Sequence, residues 1–107
     1  MKDPRRGEVW LVDLGLAAKV RPALVLSVPV EDEDRALVTL VSRTTSIRRS
    51  RFEVQIDARF LKPGVFDAQS LVTIPHAMLI RRLGKLNEDQ FSEVESAVKK
   101  WLGFDSV

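Results

Sequence analysis

Short apolar segments, some alternating with polar residues and some continuous, recur through the first three quarters of the chain. They are rich in Val, Leu and Ile, and polar or glycine-containing breakers separate them at Gly15, 31–34, 44–51 and 62–64. Period-two alternation of β-branched residues is typical of strands. The pattern therefore predicts five or six short strands, of which the clearest lie at 8–14, 22–28, 36–41, 52–56 and 68–74.

The segment after residue 86 predicts a helix instead. The Asn87 side chain can cap the first backbone amides, and Gln90 supplies the second half of a capping box. Apolar residues then recur at helical spacing along one face. They are Phe91, Val94, Val98, Trp101 and Leu102. Gly103 suits a left-handed C-terminal cap, and we expect the helix to pack across the sheet with Trp101 in the core.

Short strands joined by short polar connections and followed by one helix predict an α+β fold that is mainly β, a small antiparallel barrel or sandwich. With 107 residues, the chain is expected to form a single domain over 1–107. Some strands, such as 23–26, are apolar on both faces. Such strands need cover on both sides, so we expect a homodimer.

Composition excludes several classes of protein. No apolar run approaches the ~20 residues that span a bilayer, and the N-terminus lacks the pattern of a secretory signal, so we expect a cytoplasmic protein without a membrane partner. The chain has no cysteine and one histidine, which excludes disulfides, thiolate metal sites and a His–His pair within one chain.

Charge is segregated along the chain, although the net charge is only +2. No acidic residue occurs from Ala36 to Phe52, a window that contains four arginines: Arg43, Arg48, Arg49 and Arg51. The tail from Asn87 to Val107 instead carries five acidic residues. A basic window of this kind attracts nucleic acid and acidic peptides through the same long-range field.

Two segments contain candidate functional residues. In the first, Lys19 to Pro22, the proline forces Arg21 into an extended or turn conformation, and a guanidinium there suits two phosphate oxygens. Taken alone, however, an Arg-Pro pair is usually a surface turn. In the second, Ser42 to Arg49, four hydroxyl residues are interleaved with three arginines. This composition is typical of loops that clamp single-stranded RNA, and equally of a solvated hairpin with charges that protect a sheet edge.

Several blocks of the sequence resemble the MazF/PemK toxins. The blocks are RGEVW from Arg6, VRPALVLS from Val20, RFEVQI up to Ile56, QSLVTIP from Gln69, and LIRRLGKL before the capped helix. The resemblance covers nearly the whole chain. It implies a dimeric SH3-like barrel with a C-terminal helix, sequence-selective cleavage of mRNA, and inhibition by a cognate antitoxin with a partly disordered segment. The basic window predicts that this antitoxin segment is acidic. The resemblance also implies DNA binding by the toxin–antitoxin complex.

The family's active site pairs the arginine of the Arg-Pro motif with a hydroxyl residue after the third strand, which implies Arg21 and Thr44 here. The usual Pro-Leu-Thr-Ser pattern is replaced by Ser42-Arg43-Thr44-Thr45, so Thr45 and Ser46 stay open as catalytic support. Residues 73–76 also depart from the family's Gln-Ile-Arg segment, which suggests a different base preference. The residues expected to bind RNA are Lys19, Arg43, Arg48, Arg49, Arg51, Gln69, His76 and Arg81.

The available side chains also constrain the mechanism. Attack of a 2′-hydroxyl on the adjacent phosphate needs removal of a proton, in-line geometry, and stabilisation of charge on the non-bridging oxygens. A threonine hydroxyl is a poor acid or base near neutral pH. His76, the one histidine of the chain, follows Pro75 in a turn and suits the surface or a base contact better than catalysis. We therefore expect catalysis without metal or cofactor, giving 2′,3′-cyclic phosphate and 5′-hydroxyl ends.

Two other functions remain open from the sequence. One is a gyrase-poisoning toxin of the same general fold, which the C-terminal end from Trp101 superficially resembles. The Arg-Pro motif and the Thr-Thr-Ser loop count against it, because a gyrase binder would not need them. The other is an SH3-like RNA-binding module without catalysis, which would retain RNA but form no product.

Overall fold

The computed structural model describes residues 2–15 and 19–104. Six strands precede one helix in the chain: β1 Glu8–Asp13, β2 Val20–Val25, β3 Leu37–Thr44, β4 Glu53–Gln55, β5 Val65–Pro75, β6 Leu79–Lys85 and α1 Glu88–Leu102. A short 3₁₀ turn, His76–Met78, links β5 to β6. The five clearest predicted strands are present with shifted ends, and β6 supplies the sixth.

All six strands belong to one sheet in the order β4-β5-β3-β2-β1-β6, and every described neighbouring pair is antiparallel. The predicted class, mainly β with a C-terminal helix, is therefore confirmed. Among the described residues β4 and β6 are the edges of the sheet and do not pair with each other, so the sheet is open rather than a closed barrel. β4 has only three residues, so its pairing with β5 is short.

Successive strand residues point to opposite faces of the sheet, and each face carries its own hydrophobic cluster. On the helix side the cluster includes Val9, Leu24, Val41, Phe66 and Val94. The second cluster contains Trp10, Val12, Ala23, Val25, Val38, Leu40 and Leu79. The two-faced apolar pattern of the early strands thus reflects two separate buried layers.

The helix begins and ends where the sequence predicts. Asn87 Oδ1 accepts a hydrogen bond from the Gln90 amide at 2.8 Å, and Gln90 Oε1 accepts one from the Asn87 amide at 3.0 Å. Gly103 ends the helix in the left-handed region with φ 76°. In the described part of the chain, no helix combines the length and apolarity that a membrane crossing requires.

Trp101 does not lie in the core, so that prediction is wrong. Its side chain packs edge-on against Phe52, with ring centroids 5.3 Å apart, but the residue is 44% exposed. Phe52 precedes the edge strand β4, and the last helical turn therefore lies at the margin of the sheet. The buried helix residues are Val94, Ala97 and Val98.

Candidate nucleic-acid interface

The register of β2 and β3 brings the two principal candidates together. Ala23 pairs with Ser42 in the antiparallel ladder, and extending that register by two residues places Arg21 opposite Thr44. Because side chains two residues apart along a strand share a face, Arg21 and Thr44 are on the same face of the sheet as Ala23 and Ser42. Arg21 and Thr44 line the same two clefts.

Two clefts meet at this pair. The first cleft, of about 630 Å³, has basic residues and an apolar wall; its lining residues include Lys19, Arg21, Thr44, Thr45, Phe60, Leu61, Lys62 and Arg81. The second cleft, of about 590 Å³, is lined by residues that include Leu14, Arg21, Thr44, Arg48, Asp67, Ser70 and Val72. Arg21, Thr44 and Ser46 belong to both. The pair therefore stands at the junction of two neighbouring grooves.

The Thr44 hydroxyl is oriented by the backbone that follows it. Thr44 Oγ1 accepts a hydrogen bond from the Ser46 amide at 3.0 Å. A hydroxyl that accepts one hydrogen bond still has its own proton to donate, so the Thr44 O–H can donate to a bound oxyanion. Thr44 is half-buried at the end of β3, whereas Thr45 and Ser46 are exposed in the loop.

The arginine-rich loop after β3 is held by one carboxylate. Glu53 accepts hydrogen bonds from the backbone amides of Arg48, Arg49 and Ser50, at distances between 2.6 and 3.2 Å. Arg49 has a positive φ of 62°, a conformation that costs a non-glycine residue energy and needs such support. The side chains of Arg48 and Arg49 remain exposed, so the loop presents two cations from a fixed backbone.

Arg43 differs from the other arginines of the basic window because it is buried, with only 4% of the residue exposed. Its Nη2 donates to the carbonyl oxygens of Ile56 at 3.0 Å and Lys62 at 2.9 Å. The guanidinium also lies over the Phe66 ring, 4.9 Å from its centroid. Burial lowers the pKa of Arg43, and the charge of Asp57 opposes this shift.

The structure distributes the remaining cationic candidates between the clefts and other surfaces. Lys19 and Arg81 line the first cleft and Arg48 the second. Arg49 is exposed outside the lining of both. Arg51 stacks on Phe52 at 4.6 Å from the ring centroid and lines a groove beside the helix.

Gln69 and His76 also lie outside the two clefts. Gln69 is exposed beside Asp67, whose Oδ1 accepts a hydrogen bond from the Gln69 amide at 3.0 Å. The His76 Nε2 lies 3.1 Å from the carbonyl oxygen of Leu37, at the start of β3. Thr44 ends that strand, so roughly 23 Å separates the two positions at about 3.3 Å per residue.

Sequence reasoning missed several cleft residues. Phe60, Leu61 and Lys62 belong to the connection between β4 and β5, of which the sequence indicated only 62–64, as a strand breaker. Asp67 and Ser70 lie on β5, and Ser70 Oγ donates to Asp67 Oδ2 at 3.2 Å. No local motif marks these residues, because the β3–β5 pairing that places them is non-local. Within residues 2–15 and 19–104, no three His, Asp or Glu side chains form a group that could hold a metal ion.

Comparison with known proteins agrees with this architecture. Residues 5–102 match the family described as PemK-like, MazF-like toxin of type II toxin–antitoxin systems. Toxin MazF-mt6 of Mycobacterium tuberculosis is 28% identical, with a TM-score of 0.76 over 90% of this chain and 96% of that one. A MazF from Deinococcus radiodurans is 26% identical, with a TM-score of 0.80 over 96% and 99%.

A mycobacterial endoribonuclease, in complex with its cognate antitoxin, is also similar. It is 25% identical, with a TM-score of 0.78 over 96% of each chain. The family match spans most of the sequence, and the solved structures share its fold along almost their full length. The chain therefore belongs to the PemK-like, MazF-like toxins of type II toxin–antitoxin systems.

Proposed function

We propose that this toxin is an endoribonuclease that cuts single-stranded RNA sequence-selectively. The observation that carries the proposal is the position of Arg21 and Thr44 at the junction of the two clefts. A phosphate bound at this junction would place one of the two nucleotides that it joins in each cleft. The similar mycobacterial protein is an endoribonuclease, which supports the same reaction here.

The reaction that suits these residues is attack by the 2′-hydroxyl on the adjacent phosphorus. The new O2′–P bond forms as the P–O5′ bond breaks, which gives a 2′,3′-cyclic phosphate and a 5′-hydroxyl. The 2′-hydroxyl proton passes to water, and the departing 5′-oxygen takes a proton from water. Arg21 stabilises the charge that develops on the non-bridging oxygens, and the Thr44 hydroxyl donates to one of them.

Thr44 is the preferred hydroxyl among the three candidates. It is the half-buried one, and its oxygen is already oriented by the Ser46 amide. Thr45 and Ser46 are exposed and act as support. The reaction needs no metal ion or cofactor, because Arg21 supplies the positive charge that a divalent ion would otherwise provide.

Further basic residues bind the RNA strand on either side of the cut. Lys19 and Arg81 serve the first cleft, and Arg48 serves the second. Arg49 and Arg51 extend the positive surface, while Gln69 and His76 contact nucleotides farther along the strand. Arg43 lines the first cleft from a buried position and supports the cleft from beneath.

The toxin works as a homodimer that a cognate antitoxin inhibits. The similar mycobacterial endoribonuclease forms a complex with its cognate antitoxin, which supports this partner. An acidic, partly disordered segment of the antitoxin folds onto the basic surface that RNA also uses. Charge reversal at Arg48 and Arg49 should weaken both ligands, whereas Thr44→Ala should reduce cleavage and spare antitoxin binding. Simultaneous binding of antitoxin and a non-cleavable RNA, without mutual loss of affinity, would contradict this shared surface.

The decisive test compares Arg21→Ala with Arg35→Ala, which removes an exposed arginine outside both clefts. We expect Arg21→Ala to lower the cleavage rate by roughly 10² to 10³, as when one oxyanion donor is lost, while Arg35→Ala retains activity. Mass spectrometry of the products checks for the cyclic phosphate. Equal cleavage by folded Arg21→Ala and wild type contradicts the assignment. Gyrase-dependent DNA breakage, or RNA retention without product, would identify one of the alternative functions.

A further inference from the structure

The connection between β4 and β5, residues 56–64, forms one wall of the first cleft. It contains no regular secondary structure, yet Phe60, Leu61 and Lys62 all line the cleft beside Arg21 and Thr44. A wall made from an irregular segment keeps its shape only if other parts of the fold hold it. We refer to residues 56–64 as the cleft wall.

Arg43 ties the start of the cleft wall to a point near its end. Its Nη2 donates to the carbonyl oxygens of both Ile56 and Lys62. Thr44 is the next residue in the chain, so the guanidinium holds the wall directly against the strand end that carries the candidate hydroxyl. The side chain lies between the wall and the Phe66 ring.

Space filling does not account for an arginine at this position. Burial opposes the charged form of the guanidinium, which is why the pKa of Arg43 is lowered despite Asp57. In addition, Arg43 Nη1 is buried and has no hydrogen-bond partner among the described residues, an arrangement that costs free energy. An apolar side chain would fill the same volume without either cost, but it could not hold two backbone carbonyls.

Three other contacts fix the same wall. The Phe60 ring covers Gly84 of β6, where an added Cβ would lie 2.4 Å from a ring atom. Gln90 Nε2 donates to the Asp57 carbonyl oxygen at 3.3 Å. Gly64 lies so close to Thr44 that an added Cβ would be 2.6 Å from the Thr44 carbonyl oxygen. The wall is therefore attached to β3, β6 and α1.

We propose that Arg43 is a positioning residue that sets the shape of the first cleft. By holding Ile56 and Lys62, it keeps Phe60 to Lys62 at a fixed distance from Thr44, and the cleft accepts a nucleotide in one pose beside the reacting phosphate. Arg43 does not touch the reacting atoms. The inference rests on the proposed ribonuclease function for its kinetic part only.

Hydrogen exchange of the RNA-free protein tests the structural part. In Arg43→Met, whose side chain is of similar length but cannot donate, we expect the amides of 57–62 to exchange about tenfold faster, above all the Leu61 amide, which donates to the Ala58 carbonyl oxygen, since local opening becomes easier. Arg43→Lys should restore part of the protection, because an ammonium can donate to either carbonyl. Arg35→Met serves as the matched control and should leave these amides unchanged.

Kinetics test the functional part. We expect Arg43→Met to raise KM for a short RNA about tenfold while kcat changes less than about twofold, the signature of lost binding geometry rather than lost chemistry. Arg43→Lys should lie between this variant and wild type. Gly84→Ala should displace Phe60 from the other side of the wall without changing Arg43, so we expect it to raise KM in the same way. This variant replaces Arg43→Met in the test if Arg43→Met does not fold.

Three results would overturn the proposal. Unchanged exchange in folded Arg43→Met shows that the guanidinium does not hold the wall. A loss confined to kcat assigns Arg43 to the chemistry instead. Normal KM in Gly84→Ala with a displaced Phe60 shows that the wall does not shape binding. Absence of RNA cleavage by wild type would contradict the proposed function while the exchange experiment still decides the positioning role.

Discussion

The substitution Glu53→Gln tests whether one carboxylate organises the arginine-rich loop. Glu53 accepts hydrogen bonds from the amides of Arg48, Arg49 and Ser50. The glutamine side chain has nearly the same shape but keeps only one acceptor oxygen, and its NH₂ group faces backbone donors. The loop should therefore lose most of its support without a change in side-chain volume.

The expected loss of stability follows from the number of these hydrogen bonds. Each charge-assisted bond in this partly exposed position contributes about 0.5–1 kcal/mol after competition with water. Three donors give about 1.5–3 kcal/mol, and glutamine retains roughly a third of that, so unfolding becomes easier by about 1–2 kcal/mol. For a domain of this size the melting temperature should fall by about 4–8 °C.

Two measurements test this prediction: hydrogen exchange of the loop amides and affinity for RNA. We expect faster hydrogen exchange at residues 48–50 and weaker binding of a non-cleavable RNA, because Arg48 no longer has a fixed position beside the second cleft. Removal of a negative charge alone would strengthen RNA binding. Glu93→Gln, which removes an exposed helix carboxylate, measures that electrostatic contribution. Unchanged exchange at the three amides, or RNA binding as tight as in Glu93→Gln, would refute the reasoning.

Three further predictions follow from other contacts. Gly64→Ala should destabilise the fold by about 1–3 kcal/mol, as overpacking does, because the new methyl group meets the Thr44 carbonyl oxygen at 2.6 Å; thermal unfolding checks this, and a wild-type melting temperature would contradict it. Asn87→Ala should cost about 1 kcal/mol through loss of the helix cap, measurable by urea denaturation against Ser92→Ala as an exposed helix control. Cleavage should persist in EDTA but RNA affinity should fall with salt: the five exposed or half-buried cations at the clefts, Lys19, Arg21, Arg48, Lys62 and Arg81, give a log–log slope of about −3 to −4. A requirement for added Mg²⁺, or a flat salt dependence, would count against the mechanism.

Local chemistry made parts of the structure predictable. The helix limits depend on side chains a few residues apart, so the Asn87–Gln90 box and the left-handed Gly103 could be read directly and are confirmed. The strands of the first half could be located for a similar reason, because alternation reports which faces are buried. β6 was harder, since exposed Arg81 and Arg82 interrupt its apolar pattern.

The burial of Arg43 was not predicted, because the strand predicted from alternation is too short. The predicted strand ended at Val41, whereas β3 continues to Thr44. Period two then places Arg43 on the face of Val41, towards the helix-side core. Charge alone suggested an exposed residue, because buried arginines are rare without partners. Its partners, the carbonyls of Ile56 and Lys62, come from a distant segment that the sequence could not place.

The two kinds of arginine at this site give the proposed ribonuclease two separate contributions to RNA binding. Exposed residues such as Arg48 and Arg81 provide charge that any phosphate chain would feel, and this gives affinity without discrimination. Discrimination needs surfaces of fixed shape next to the phosphate. Here the cleft wall provides such a surface, and it stays in place because one buried arginine holds backbone carbonyls instead of substrate. Substitutions of the exposed cations should therefore weaken the binding of every RNA alike, while changes beneath the wall should weaken the binding of the preferred RNA more than that of other RNAs.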